Sequence, residues 1–377
     1  LAKRKSIILV GETMKVVFQV LLMLFLGASL AQAKKLDLMV YNVENLFDAK
    51  HDKGKNDWTF TPDSKQKSEA CRKVKRDYRK KECFETNWTQ KHVDLKLSQI
   101  SKVILNSDRK ELPDILGLVE IENQNVVNQL AKKLGYKHST TSDSPDKRGI
   151  DLALMWRSSN QLKFVTKREH KLDGEYFKKK PTRNILEVEF LVEDKYSLFV
   201  FVNHWPSLGN PDEARVIAAT KLKKRIVEIS KSVKNYNIVA MGDFNTIPKL
   251  KKKGNQHPFR DIFLKDSLMK DLTTTYNMSD SIKKELKASQ PPGTYYYKRG
   301  KVWNMLDRVF ISDNLLDGKG LDVELSSYEI YSPSFIRKGK TQGYKNELAP
   351  QRYNHRTMNA SKAGFSDHFP IVFQIKY

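Results

Sequence analysis

Ile238-Val239-Ala240-Met241-Gly242-Asp243-Phe244-Asn245 is the stretch on which the fold turns. Four apolar residues make a run too short for a stable helix, and a glycine follows at once, so the segment reads as a buried strand whose tip carries an acid and an amide. Alternate residues of an extended backbone share a face, which puts Asp243 and Asn245 on one side. The same design recurs along the chain. Leu38-Met39-Val40-Tyr41 leads to Asn42 and Glu44, again an i, i+2 pair; Ile115-Leu116-Gly117-Leu118-Val119 leads to Glu120; Phe199-Val200-Phe201-Val202 leads to Asn203-His204. Two further runs begin with charge: Asp307 precedes Arg308-Val309-Phe310-Ile311, and Asp367-His368 precedes Phe369-Pro370-Ile371-Val372-Phe373. If those two strands run antiparallel to the other four, all these polar tips collect along one edge of the sheet system and line a single cleft.

Around the tips, the coarse pattern alternates short apolar runs with amphipathic stretches, the signature of a mixed α/β protein. Strands are expected at Leu36 to Tyr41, Asp114 to Val119, Leu152 to Trp156, Ile185 to Val192, Leu198 to Val202, Ile238 to Met241, Arg308 to Ile311 and Pro370 to Ile375. Lys91 to Leu105 and Glu213 to Ile229 carry apolar residues at helical spacing, with Asp212 placed to cap the second. Two polar, lysine-rich stretches, residues 49–88 and 248–292, read as insertions into one domain spanning 34–377.

The 377 residues are 39% hydrophobic and 10% aromatic, enough for a packed interior, which excludes wholesale disorder and a fibrous repeat. The formal net charge is +24, a field that favours polyanionic partners. Lys15 followed by the run Val16 to Leu30 and by Ala31-Gln32-Ala33 reads as a signal peptide starting at Met14 and cleaved after Ala33, short of a membrane span. The protein is therefore expected in the periplasm or outside the cell, a monomer with no stable membrane insertion after cleavage. Residues 1–33 carry few charges, so the basic character belongs to the mature chain. In an oxidising compartment Cys71 and Cys83 can pair; a bridge closing so small a loop is worth roughly 3 kcal/mol in the chain-entropy model. Between them lie Arg72, Lys73, Lys75, Arg76, Arg79, Lys80 and Lys81 against only Asp77 and Glu82. This is either a stapled basic finger that grips phosphates or a solvated excursion.

Chemistry follows from crowding. Glu44, Glu120, Asp243, Asp307 and Asp367 brought together would repel one another unless a cation compensates. Oxygen ligands without HExxH or Cys/His spacing suit Mg²⁺ or Mn²⁺ better than zinc, with Ca²⁺ a further choice. Such an ion suits phosphoryl chemistry, with a histidine oriented by an aspartate as acid or base.

The motifs Tyr41 to Asp48 (YNVENLFD), Gly117 to Glu120 (GLVE), Asn203 to Ser207 (NHWPS), Gly242 to Asn245 (GDFN), Leu306 to Val309 (LDRV) and Ser366 to Pro370 (SDHFP) resemble, in order, those of the endonuclease/exonuclease/phosphatase superfamily, deoxyribonuclease I-like. Ser144 to Leu154 (SPDKRGIDLAL) further resembles its exported bacterial nuclease-like branch. The resemblance implies a four-layered α/β sandwich, two packed mixed sheets flanked by helices. It implies Glu120 as principal metal ligand, with Asn42 and Glu44 beside it and Asp367 near the metal; several relatives have Asp where Glu44 stands. Asp243 would orient or deprotonate water and Asn245 steady the nucleophile or phosphate. His204 would assist the leaving group or bind phosphate, and His368 would contact the scissile phosphate or activate water, with Asp307 orienting its ring.

Outside the motifs, alternatives stay open. An isolated Asp307 or Asp367 would ordinarily make a turn or cap. Arg148 and Arg183 clamp a phosphate or form local ion pairs. Asp151 serves the cleft or a strand-start turn. Tyr295-Tyr296-Tyr297 with Trp303 are expected to pack rather than stack on bases. Lys178 to Lys180, Lys221 to Arg225 and Lys249 to Lys253 are candidates for neutralising backbone phosphates. The function expected is a metal-dependent phosphodiesterase, an endonuclease acting on DNA, with RNA a further substrate, and little sequence preference. A sphingomyelinase-like lipid phosphodiesterase is the enzymatic alternative, and a non-catalytic nucleic-acid-binding protein the alternative of another class.

Overall fold

Backbone pairing gathers the apolar runs into two six-stranded mixed sheets. The computed structural model describes residues 34–106, 112–159, 161–252, 254–340 and 348–377; the signal-peptide reading lies outside them. The first sheet contains β1 (Lys35–Leu46), β2 (Ile115–Ile121), β3 (His138–Thr141), β4 (Asp151–Trp156), β13 (Asp322–Ile330) and β16 (Ile371–Lys376), in the order β13-β16-β1-β2-β4-β3. The second contains β5 (Leu162–His170), β6 (Ile185–Val192), β7 (Tyr196–His204), β8 (Asn237–Asp243), β9 (Met269–Asp271) and β12 (Asp307–Ser312), in the order β5-β6-β7-β8-β12-β9. A hairpin of β10 (Tyr295–Tyr297) and β11 (Val302–Asn304) and a second pair, β14 (Arg337–Lys340) with β15 (Leu348–Pro350), stand outside them. The parallel pairs β1/β2 and β7/β8 adjoin the antiparallel pairs β2/β4, β6/β7 and β8/β12.

The sheets meet face to face. Gly117 of β2 lies where the sheets meet: a Cβ there would be 2.7 Å from Met241 Cε of β8 and 3.3 Å from Val202 Cγ2 of β7. Helices cover the outside. A helix, α5 (Asp212–Ser232), buries Ala218, Leu222, Ile226 and Ile229 in one cluster with Phe199, Phe201, Ile238 and Phe310 of the second sheet. Two others, α3 (Gln90–Leu105) and α4 (Gln124–Leu134), bury Val93, Leu97, Ile100, Val126, Leu130 and Leu134. The architecture is the expected sandwich of two mixed sheets flanked by helices.

Some local expectations change. Asp212 is not the cap of α5: Pro211 holds that position, while Asp212 lies in the first turn, where Oδ1 accepts from Arg215 at 2.6 Å and Oδ2 from Lys251 N at 2.8 Å. The segment 49–88 is anchored rather than loose. It holds α1 (Lys65–Arg72) and α2 (Asp77–Glu85), joined by the Cys71–Cys83 disulfide with Cα atoms 5.7 Å apart. At its base the buried Lys67 ammonium donates to Thr61 O and Thr86 O, one carbonyl on each flank, and Phe60 stacks on Phe47 at 4.3 Å. The segment 248–292 likewise contributes Phe259 and Phe263 to the core beneath α5 and supplies β9 as the edge strand beside β12.

Candidate active site

Register places the site. In the second sheet His204 of β7 and Asp307 of β12 both stand opposite Asp243 of β8, so three neighbouring strands present an imidazole and two carboxylates at one level. In the first sheet Asn42 and Glu120 leave adjacent parallel strands where the register shifts, between Asn42 and Leu46 on β1. The two sheets join there: Asn42 Nδ2 lies 3.3 Å from Asp243 Oδ2 and 3.4 Å from Glu120 Oε1.

The irregularity is built into the backbone. Glu44 (φ 53), Asn45 (φ 62), Glu120 (φ 66) and Asn245 (φ 45) all occupy the left-handed region, which non-glycine residues seldom enter. Such conformations recur where a side chain must be re-aimed at a functional edge. Consequently Asn42 and Glu44 do not share a simple extended face. Asn42 Oδ1 accepts the Glu44 N–H at 3.1 Å and turns its amide nitrogen to Glu120 and Asp243. Glu44 turns the other way, accepting from Arg352 Nε at 2.5 Å and Tyr353 N at 2.8 Å. Asp367 lies on that same side, its Oδ2 3.9 Å from Arg352 and its Oδ1 3.8 Å from His368 Nε2. Asn245 completes the opposite wall: its N–H donates to Asp243 Oδ1 at 2.8 Å and its Nδ2 to Trp205 O at 3.2 Å.

The two histidines differ in charge. Burial opposes a proton on His368, but Asp307, whose Oδ2 is 2.6 Å from Nδ1, and then Asp367 and Asp243 override it and hold the imidazole well above its usual range. His204 is pushed well below that range by burial, then by Arg183, Arg148 and His368, even though its Nε2 lies 3.7 Å from Asp243 and 3.8 Å from Glu120. Burial, with Asp307 beside it, raises Asp243 to about 7. Burial and Asp367 raise Glu44 to about 8, against the opposing pull of Arg352 and Lys96.

Lys96 and Arg352 are the residues that motif reading misses. Lys96 sits on the apolar stripe of α3 between Val93 and Ile100, where a lysine in place of an aliphatic residue is the visible signal; it is fully buried and donates to Phe365 O at 3.0 Å. Arg352 lies in no motif and carries no such signal.

Arg148 and Arg183 both pair with Asp146, Arg148 through two hydrogen bonds of 3.2 and 3.0 Å and Arg183 at 3.3 Å. They border the centre electrostatically, through their effect on His204. Asp151 serves its turn, accepting from Ser142 Oγ at 2.6 Å and Ser144 N at 3.0 Å. Trp303 is buried against Phe369, as expected of packing, whereas Tyr297 is 43% exposed, against that expectation, and Tyr295 stands 5.0 Å from the His368 ring.

Among the described residues, no three His, Cys, Asp or Glu side chains already converge on one ion position. The donors nonetheless suit a hard cation that keeps most of its own water. Glu120, 20% exposed at its side chain, and Asp367, 22% exposed, offer carboxylate oxygens on the open side of the site, with the buried Asp243 behind.

The pattern that defines the Endonuclease/Exonuclease/phosphatase family matches residues 75–377. The chain belongs to this family. No curated protein matches it. Among solved structures, an endonuclease/exonuclease/phosphatase family protein from Bacteroides thetaiotaomicron is similar over 92% of this chain and 99% of its own, with a TM-score of 0.51 at 15% identity. D. rerio TDP2 humanized by 14 mutations is similar over 91% and 99%, with a TM-score of 0.51 at 12% identity. A mannosyl-6-phosphatase from Bacteroides thetaiotaomicron is similar over 91% and 100%, with a TM-score of 0.50 at 15% identity. At such identities the likeness is one of fold. Endonuclease/exonuclease/phosphatase proteins are phosphoester hydrolases that typically use divalent metal ions.

Proposed function

We propose that this family member is an exported phosphodiesterase, dependent on Mg²⁺ or a similar ion, that cuts the backbone of DNA, and RNA with it, internally and with little sequence preference. The observation that carries this reading is a groove walled by basic side chains, of which Arg148 and Arg183 act electrostatically on Glu120 and His204 of the site. One cavity of 300 Å³ runs past Arg148 and Arg183 between Arg79 on one side and Lys179 and Lys180 on the other. A monoester phosphatase needs no such track, whereas a polyanionic strand gains from every phosphate neutralised.

Glu120, with Asp367 and Asp243 near it, would hold the divalent ion, which when bound offsets negative charge developing on phosphorus. The protein's own groups supply the rest. Asp243, opposite both His204 and Asp307, stands where it can orient water and take its proton. Charged His368 donates from Nε2 toward a phosphate oxygen while Asp307 fixes the ring through Nδ1. Asn245 locks Asp243 through its main-chain N–H, and His204, whose Nε2 lies 3.7 Å from Asp243, stands where it can hydrogen-bond the phosphate or the departing oxygen.

The test is nicking of supercoiled plasmid by the full chain, with Mg²⁺ or with EDTA, beside Glu120→Ala and His368→Ala. Nicking abolished by EDTA and by either variant is expected. Plasmid bound but never cut would mark a non-catalytic binding protein, and release of choline phosphate from sphingomyelin in place of nicking would mark a lipid enzyme; each overturns the reading. Export is checked by the distribution of the protein between cells and medium or periplasm.

A further inference from the structure

We infer that the disulfide-joined helices α1 and α2 form a second phosphate-binding wall, with Arg76 and Arg79 holding backbone phosphates of a nucleic-acid strand away from the bond being cut. The inference rests on the nuclease reading above and names where the rest of the strand lies.

The first observation is position. Between the cysteines the chain is exposed, and its arginines border the cavities beside the site. Arg79 lines two cavities at once. One, of 840 Å³, reaches from Asn45 and Arg352 at the rim of the candidate site past Trp58 to Tyr78 and Arg79. The other, of 300 Å³, carries Arg76 and Arg79 on one wall and Arg148, Lys179 and Lys180 along the rest, with Asp146 as the one carboxylate lining it among the described residues. Arg148 borders both cavities and feels the charge of Glu120, which ties the hairpin to the catalytic edge.

A second, independent observation is which cations are already used. On the outer helix α5, Lys221 pairs with Asp173, Lys223 with Asp266 and Arg225 with Glu187, so three of the four cations of that run, a phosphate-binding candidate by sequence, are already engaged within the protein. On the hairpin, neither Arg76 nor Arg79 has a carboxylate partner among the described residues. Arg76 NH1 and Arg79 Nε instead donate to one oxygen, the Tyr78 hydroxyl, at 3.3 and 3.2 Å. That shared neutral acceptor holds two guanidinium groups side by side while leaving their other N–H donors open, an arrangement suited to phosphate oxygens. Tyr78 is itself 63% exposed, so the pair stands at the surface.

The third is rigidity. The Cys71–Cys83 bond and the Lys67 clamp on Thr61 O and Thr86 O fix both ends of the hairpin to the body of the protein. Two long cationic side chains presented from a fixed base lose less freedom on binding than they would on a loose loop.

The experiment uses the full chain carrying Glu120→Gln, with no divalent ion, and a fluorescein-labelled 20-nucleotide DNA strand, read by anisotropy between 50 and 200 mM salt. Arg76→Ala/Arg79→Ala in that background is expected to weaken binding by at least about tenfold at 50 mM salt and to flatten the salt dependence by about 1.4 log units per log unit, about 0.7 for each phosphate released from contact. Arg76→Lys/Arg79→Lys, which keeps both charges but not the forked geometry, is expected to retain most of the salt slope. Thiol titration confirms that the disulfide is intact in each variant. Unchanged affinity and slope in the alanine pair, in a protein whose parent nicks plasmid, overturns this inference alone. A parent that neither nicks plasmid nor binds the strand overturns the nuclease reading and this inference with it. A loss of binding confined to phosphatidylglycerol vesicles reassigns the wall to a membrane surface and likewise overturns it.

Discussion

Asp307 Oδ2 lies 2.6 Å from His368 Nδ1 in the interior of the site, and this contact decides the protonation of the imidazole. A histidine so buried should be neutral; the carboxylate facing it reverses that. Asp307→Asn removes the charge while preserving shape. The His368 pKa is then expected to fall, because burial acts without its main opponent, and the charged fraction of the ring at pH 7 falls with it. A group that must donate a proton or a charged hydrogen bond is lost, so kcat/KM should drop by about 10²- to 10⁴-fold, the usual range for general acid–base catalysis. Histidine ring resonances followed by NMR against pH measure the shift, and nicking rates measure the loss. An unshifted His368 would remove Asp307 from this role, whatever the rate does.

Asp243 and Glu44 make stability depend on pH in an unusual direction. Their folded values, about 7 and about 8, exceed the ordinary 3.8 and 4.5, so across that interval the folded chain binds more protons than the unfolded one. The sign follows from linkage: the contribution is complete below the unfolded values and is lost as pH rises through the folded ones. In EDTA, Tm should therefore decline between about pH 7 and pH 8, above the range in which the neutral buried His204 acts in the opposite sense. Mg²⁺ is expected to flatten this decline, since a cation beside the carboxylates favours their charged forms. Calorimetric scans at several pH values, with chelator and with Mg²⁺, provide the check; a Tm rising with pH in EDTA would show these carboxyls already ionised.

Much of this was legible in the sequence because strand cores and strand tips obey simple rules. Ile185 to Val192 forms β6 with the expected limits, its apolar residues carrying the run past the buried Glu187 and the half-buried Glu189. The reading of Arg308 to Ile311 as antiparallel to Ile238 to Met241 rested on which end carried the acid, and β12 pairs with β8 in that sense. Strands without an apolar run escaped notice. The sequence Lys163-Phe164-Val165-Thr166-Lys167-Arg168 of β5 is largely exposed at a sheet edge, and His138-Ser139-Thr140-Thr141 of β3 is polar. Of the site, the motif residues were visible as types, but their aim was not. Alternation puts Asn42 and Glu44 on one face only if the strand stays extended, and the positive φ at Glu44 and Asn45 breaks that premise. Arg352 was beyond reach because it meets Glu44 from a segment 308 positions away, with no local pattern to announce it.

Gly242 shows how the strand geometry is made, and its replacement gives a sharp test. It has φ +135, and a Cβ built there would lie 2.1 Å from Asn203 O and 2.8 Å from Asn203 N, both backbone atoms of the neighbouring parallel strand. Neither atom can step aside without breaking the β7/β8 ladder, in which Asn203 stands opposite Gly242 and His204 opposite Asp243. Gly242→Ala thus carries two penalties, a backbone conformation that an L side chain rarely adopts and a collision with main chain. Together they should cost about 2–4 kcal/mol, more than a typical surface change and in the range of a damaged core. Any protein that does fold must also shift β8 relative to β7, moving Asp243 away from His204 and Asp307, so activity should fall further than the folded fraction alone accounts for. Urea unfolding supplies the first quantity, and nicking rate per folded molecule the second. An alanine variant with parental stability would mean that the strands tolerate wider separation, and the close approach at Asn203 would then lose its place in the account of how the site is positioned.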